Sequence, residues 1–238
     1  MAIAAFRPGP PVLVGCSHGT DSPAGRNAIR AILAGVRQAR PDLNVREAFV
    51  DVQQPKVADA VAAAVAGGGV AVVVPLMLSG GYHVHVDIES AVAGRSAVKS
   101  ATLGPDARLV QLLLDRLRDA GAGPGDAIVL AGAGSTDARA TAAVEEITAG
   151  LRAVWAGGPI TIGAGAGAFP RVPDAVAAAR ATGLRRVVIA SYVLAEGFFH
   201  DRLLTAGADL VTAPLAPDRR LVEITLDRYA TGARQLPS

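Results

Sequence analysis

The sequence predicts an α/β protein made of two tandem, duplicated lobes, each a doubly wound parallel sheet. Three observations carry this expectation. Residues 103–116 (LGPDARLVQLLLDR) and 215–228 (LAPDRRLVEITLDR) share nine of fourteen positions, and self-similarity of this kind marks a repeated structural unit. Within each copy, short Val/Ile/Leu runs alternate with alanine-rich stretches of helical length, the pattern of parallel strands covered on both faces. The length of 238 residues suits one large α/β domain or two of about 120 residues each. Looser echoes extend the repeat: residues 12–21 (VLVGCSHGTD) against 128–137 (IVLAGAGSTD), and Leu78 and Gly81 against Leu194 and Gly197. The boundary falls near residues 121–125, which gives expected domains of 1–122 and 123–238.

The elements follow in chain order. Strands are expected at 12–15 (VLVG), 45–50 (VREAFV) and 70–75 (VAVVVP), the last closed by Pro75. Helices are expected at 24–40, at the alanine-rich 57–66, and at 86–98 and 106–120. Residues 60–85 contain no Asp, Glu, Lys or Arg, which on hydropathy alone suggests a membrane span. Gly67, Gly68, Gly69 and Pro75 divide that run into a short helix and a buried strand instead. The second half repeats the scheme, with strands at 127–130, 160–163 and 187–193 and helices at 136–154, 172–182 and 218–231. A short extra strand in each half, at 100–102 and 209–212, feeds the duplicated helix. Ligands in such sheets bind beyond the carboxyl ends of the strands, so the expected site is a cleft between the lobes.

Composition narrows the function. Hydrophobic residues make up 51% of the chain, aromatic ones 4% and charged ones 18%, which excludes a disordered chain. The formal net charge is +2, from 23 Lys+Arg against 21 Asp+Glu. No basic cluster with interleaved aromatics is present, so nucleic acid is not an expected partner. The single cysteine, Cys16, forms no intrachain disulfide, and prolines interrupt the apolar residues of the first eleven positions. The expectation is a cytoplasmic protein with no membrane partner.

Chemistry-bearing side chains gather at predicted strand ends. His18 follows VLVGCS, and His83 and His85 follow VAVVVPLMLSGGY. Neutral imidazole ligates divalent metals and accepts protons near neutral pH. Residues 83–89 (HVHVDIE) read either as a strand with His83, His85, Asp87 and Glu89 on one face, or as a helix start stacking His83 over Asp87. The helical reading is preferred, because a strand has just ended at 75–78. Asp51 closes the VREAFVD strand at the same sheet edge, with Glu47 and Glu89 as further acids. Arg26, Arg95, Arg171 and Arg202 lie near strand-end loops or helix starts, where they suit carboxylate recognition. Residues 163–168 (GAGAGA) fit a loose dinucleotide fingerprint, but the next strand, RRVVIASYVL, offers no acid for a ribose. Cys16 reads as a small buried residue beside the turn.

Taken together, VLVGCSHGT (12–20), AFVD (48–51) followed by Pro55, VVVPLMLSGGYH (72–83) with Asp87 and Ile88, and LGPD (103–106) resemble the sirohydrochlorin chelatases of siroheme and cobalamin synthesis. These are small class II chelatases related to ferrochelatase. The resemblance covers the first half and, more weakly, the second through the duplication. It implies that His18 and His83 form the metal-handling pair, facing each other across the cleft, and that Asp51 stands where the family usually has Glu. Gly134 is expected where His18 would repeat and Phe199 where His83 would, with His200 one place along. The chain therefore resembles long, two-lobed members in which one half keeps the catalytic histidines and the other becomes a wall for the substrate. The implied substrates are sirohydrochlorin and a divalent metal, ferrous iron or cobalt, with no organic cofactor. Leu76, Met77, Leu78 and Phe198 are expected under the macrocycle, and the chain is expected as a monomer or weak homodimer. The alternative is a non-catalytic carrier of tetrapyrrole or metal, and a generic bilobed binding protein stands behind that.

Overall fold

The computed structural model describes residues 9–81 and 84–236, the side chains of residues 84 and 85 excepted. The first half contains β1 (Val12–Ser17), α1 (Pro23–Ala39), β2 (Val45–Phe49), α2 (Val57–Val65), β3 (Ala71–Pro75), α3 (Glu89–Val92), β4 (Ala97–Lys99) and α4 (Ala107–Asp119). The second contains β5 (Asp126–Gly132), α5 (Ala138–Val154), β6 (Ile160–Ala164), α6 (Val172–Arg180), β7 (Arg186–Tyr192), α7 (Phe198–Leu204), β8 (Leu210–Val211) and α8 (Arg219–Ala233). The two parallel sheets have the same order, β2-β1-β3-β4 and β6-β5-β7-β8. The central strands are buried throughout, as strands covered on both faces must be; Leu13, Val72, Val73, Val74, Ile128 and Val129 are fully inaccessible.

Side-chain caps set where the long helices begin. Ser22 Oγ accepts from Gly25 N at 3.1 Å. Asp106 and Asp218 accept from Arg108 N and Arg220 N at 3.0 and 2.9 Å. Each such cap satisfies a donor that the helix itself leaves unpaired.

The packing of the closing helices does not follow the two copies of the sequence. Helix α8 lies against β3 and β4 of the first sheet, and α4 lies against β7 of the second. Each half thus lends its last helix to the other. Helix α8 also packs on α1, and α4 on α5. A Cβ added to Gly35 would stand 2.6 Å from Val222 Cγ2, and one on Gly150 would stand 2.9 Å from Val110 Cγ2, so each contact is made by a glycine notch receiving a valine. The central core is consequently shared, joining Leu13, Ile32 and Val72 to Leu112, Ile128 and Leu151 in one cluster. The outer helices build two separate clusters, α2 and α3 over the first sheet and α6 and α7 over the second.

The duplicated segment is the fastening of this exchange. From α8, Arg228 donates to Thr102 O (2.8 Å), Leu103 O (3.1 Å), Pro105 O (3.1 Å) and Asp106 Oδ2 (3.3 Å). From α4, Arg116 donates to Pro214 O (3.0 Å) and Leu215 O (3.2 Å). Reciprocal ion pairs flank these contacts, Arg108 with Asp227 and Arg220 with Asp115, each at 2.7 Å. The residues shared by the two copies are largely the ones that hold the copies together.

Three expectations need correction. The helix expected at 86–98 ends at Val92, because Gly94 turns the chain at φ +68°. The short strand expected at 100–102 is β4, three residues earlier, where its register pairs Ala97 with Ala71. Helix α7 has no counterpart in the sequence reading; it opens at Gly197, whose φ of +140° breaks the run from β7.

Candidate active site

The carboxyl ends of β1, β2 and β3 open onto the same side as those of β5 and β7, and a cavity of about 770 Å³ lies there between the lobes. That size falls within the range of small-molecule sites. From the first half, the His18–Asp21 turn, Glu47 and Leu76–Ser79 line it; from the second, Ala133–Thr136, Ala166 and Tyr192–Phe199 do. Leu76, Met77, Leu78 and Phe198, expected beneath a macrocycle, all face the cavity.

His18 sits in an exposed turn directly after β1. Gly19 follows with φ +95°, the left-handed conformation that glycine adopts without a Cβ penalty. The turn is fixed from the β2 side: Asp51 N donates to His18 O at 3.1 Å, and Thr20 N donates to Gln53 Oε1 at 2.9 Å. Between those anchors stands Val52 at φ +39°, a conformation that is strained for a β-branched residue. Strain of this kind collects at functional sites, and Val52 lines the cavity with 47% of its surface exposed.

The expected carboxylates divide. Glu47 reaches the cavity and pairs with Arg30 at 3.4 Å. The carboxylate of Asp51 lies 3.8 Å from Lys56 Nζ, is 61% exposed, and is not among the lining residues. Asp51 therefore braces the His18 turn through its backbone from the cavity's edge. Glu89 pairs with Lys99 away from the cavity. His83, and the ring of His85, lie outside the described residues. Asp87 is close enough to Cys16 for its charge to act there: burial, assisted by Asp87, pushes the thiol up to about 12, so Cys16 stays protonated and packs as a small apolar residue.

The second lobe places different groups at the equivalent points. The backbone bond from Val50 N to Ser17 O recurs as Gly165 N to Gly132 O, which puts the second copy 115 residues on at this turn. The counterpart of His18 is thus Ala133, not Gly134; Gly134, at φ +76°, matches Gly19. By the same count Asp51 corresponds to Ala166, while β3 and β7 align 116 apart, the spacing that in the sequence separates His83 from Phe199. A Cβ on Gly134 would collide with Ala166 O. His200 points away into the core, 8% exposed, with Nε2 3.4 Å from Thr212 O. At the paired strand-end turns the first wall carries the imidazole of His18 and the second Ala133, while both walls carry a carboxylate, Glu47 on the first and Glu196 on the second.

The arginines mostly serve the loops. Arg26 Nε donates to Thr20 O at 2.8 Å and its guanidinium also meets Asp21 at 3.5 Å. Arg95 donates to Ala91 O and Arg171 to Gly165 O. Arg202 is different: it stacks over the ring of Phe198, a lining residue, with 5.3 Å from Cζ to the centroid, and does not itself line the cavity. Among the described residues no three His, Cys, Asp or Glu side chains come together as a metal cluster, and no helix is long and apolar enough to cross a membrane.

Two like-ordered parallel sheets facing one cleft define a two-lobed chelatase fold. The chain superposes on SirB from Bacillus subtilis with Fe3+ at a TM-score of 0.80 and 17% identity, covering 94% of this chain and 96% of that one. SirB from Bacillus subtilis subspecies spizizenii, in complex with cobalt, gives 0.76, 16%, 95% and 96%. CbiX, described as the terminal enzyme for siroheme biosynthesis in denitrifying bacteria, gives 0.64, 18%, 92% and 98%. A comparison with curated proteins gives no match. The CbiX family model matches residues 12–120 and again residues 127–231, so the chain belongs to the CbiX family, with a copy in each half.

Proposed function

We propose that the protein is a cytoplasmic sirohydrochlorin chelatase, inserting ferrous iron or cobalt into the tetrapyrrole at a single site on the first lobe. The asymmetry of the cleft carries this reading. A flat macrocycle needs an apolar surface and a metal donor beside it: Leu76, Met77, Leu78 and Phe198 offer the first, and of the two equivalent strand-end turns only that of the first lobe offers an imidazole, His18 against Ala133. Family membership supports the reaction class, and the similar structures solved with Fe3+ and with cobalt support iron or cobalt as the metal handled.

Insertion exchanges two pyrrole N–H protons for one divalent cation. The delivering site must hold the metal weakly enough to release it, which suits a few imidazole and water ligands better than a closed cage. His18 is assigned to that role with His83, which follows β3 on the same lobe in sequence. Once the cation leaves, the same imidazoles receive the pyrrole protons and pass them to solvent. Glu47, inside the cavity, offers a carboxylate oxygen near this wall although it is paired with Arg30, and Asp51 acts from behind the His18 turn, whose carbonyl its backbone N–H holds. Ala133, Ala166 and Phe199 stand on the facing wall in place of His18, Asp51 and His83, so that wall offers no imidazole and the first lobe is the productive face for the macrocycle.

The test is an anaerobic absorbance assay of sirohydrochlorin with ferrous iron or cobalt, for wild type, His18→Ala and no protein. Conversion above background that His18→Ala abolishes supports a chelatase. Tight tetrapyrrole binding without faster insertion would replace it by the carrier.

A further inference from the structure

Phe198 and Phe199 are 65% and 45% exposed in a chain that is only 4% aromatic, and both lie against the cavity. Their rings meet edge to face, 5.3 Å apart at 80°. Phe199 is braced from behind, since a Cβ on Gly165 would stand 3.4 Å from its ring. The segment leading into α7 is seated on the first lobe: a Cβ on Gly25 would lie 2.5 Å from Glu196 O, and one on Gly197 would lie 3.2 Å from Thr20 Oγ1. The Phe198 ring is therefore presented beside the turn that carries His18. One helical turn further, Arg202 stacks on that ring, an arrangement that orients a guanidinium while leaving its N–H groups available. The guanidinium makes no hydrogen bond or ion pair among the described residues, in contrast to Arg26, Arg95 and Arg171.

We propose that Phe198 and Arg202 form the specificity edge of the cleft. Phe198 supports one face of the tetrapyrrole near its rim, and Arg202 binds a carboxylate arm that reaches past the ring. The pair selects macrocycles rich in peripheral carboxylates over those with few. This rests on the tetrapyrrole reading above, and it adds where substrate discrimination resides. A planar fork suits a carboxylate, and Arg202, exposed and outside the cavity lining but stacked on a ring that lines it, meets an arm that extends past the ring without the cost of burying a charge.

Metal-free binding tests the edge independently of insertion. Wild type, Arg202→Gln, Phe198→Ala and Phe198→Leu are titrated into carboxylate-rich uroporphyrin and carboxylate-poor mesoporphyrin, followed by porphyrin fluorescence, with thermal unfolding as a fold check. Wild type is expected to prefer uroporphyrin. Arg202→Gln should weaken uroporphyrin about tenfold, in line with the loss of a charge-assisted hydrogen bond, and leave mesoporphyrin unchanged. It should also flatten the salt dependence of uroporphyrin binding. Phe198→Ala should weaken both porphyrins, with Phe198→Leu intermediate. An Arg202→Gln protein that keeps the wild-type preference, or loses both porphyrins equally, overturns the inference while leaving the tetrapyrrole reading intact. Wild type that binds neither porphyrin overturns the tetrapyrrole reading, and the specificity edge with it.

Discussion

Replacing Arg228 by Met removes the side chain that closes the exchanged helices while keeping its length and apolar stem. Its guanidinium donates to three main-chain carbonyls in the 102–105 turn, at 2.8, 3.1 and 3.1 Å. Leu103 and Thr102, which carry two of those carbonyls, are buried, so water does not replace the lost donor. Hydrogen bonds to a charged group contribute about 1.5–3 kcal/mol, and a buried acceptor left unpaired costs about 1–3 kcal/mol. Two well-formed bonds then put the expected loss at about 3–4 kcal/mol. Urea unfolding followed by circular dichroism reads this directly: with m of about 3 kcal/mol per molar, the midpoint should fall by about 1 M. Arg116→Met, its symmetrical partner, should lose about 3 kcal/mol. Asp227→Asn breaks only the flanking ion pair, whose carboxylate side chain is 62% exposed, and should cost less than about 1 kcal/mol. A loss at Asp227→Asn as large as at Arg228→Met would refute the argument, since ion pairing rather than carbonyl capture would then fasten the helices.

His18→Ala and His83→Ala should each abolish metal insertion with the fold intact by circular dichroism, whereas His200→Ala should retain it at a stability cost of about 1 kcal/mol; equal activity losses from His200→Ala would exclude a single site. Asp126, held down to about 2 chiefly by its hydrogen bonds with Arg186, should stabilise the fold on the order of 2 kcal/mol. Because the folded value is depressed, that stability is present above about pH 4 and is lost as pH falls through about 2. The urea midpoint of wild type should converge on that of Asp126→Asn over this range, and a pH-independent gap would contradict the assignment. Cys16, pushed up to about 12 and fully buried, should resist iodoacetamide at pH 8 until the protein is unfolded; rapid labelling of the native protein would show an open or activated thiol.

The fold class was legible because the duplicated segment serves the same purpose twice: Asp106 and Asp218 cap, and Arg116 and Arg228 reach across. What the repeat did not reveal is that these residues reach between copies, since a bond spanning about a hundred residues or more leaves no local pattern. Matching Gly134 with His18 failed for a related reason. The sequences GCSHGTD and AGAGSTD align best by their final Ser/Thr-Asp residues, whereas the backbone aligns by the positive-φ glycines Gly19 and Gly134. Helix α7 escaped because its seven residues, FFHDRLL, begin with two exposed aromatics and show no clean apolar stripe. The position of His18 after a strand was readable, and so was the apolar floor of Leu76–Leu78. Val52 carries no signal of its own in the sequence, because its strain comes from two anchors contributed by Asp51 and Gln53.

The exchanged helices bear on how such a chain can change over time. With Ala133 and Ala166 in place of His18 and Asp51, the second half lacks the groups to which the proposed chemistry is assigned, and on that reading catalysis alone would not protect it from deletion. Yet a truncation after residue 125 would remove α8, the cover of β3 and β4, and would leave α4 without the sheet it rests on. The chain is a mutual loan that neither copy can call in: either half is kept, whatever chemistry it has lost, because the other cannot close its own sheet.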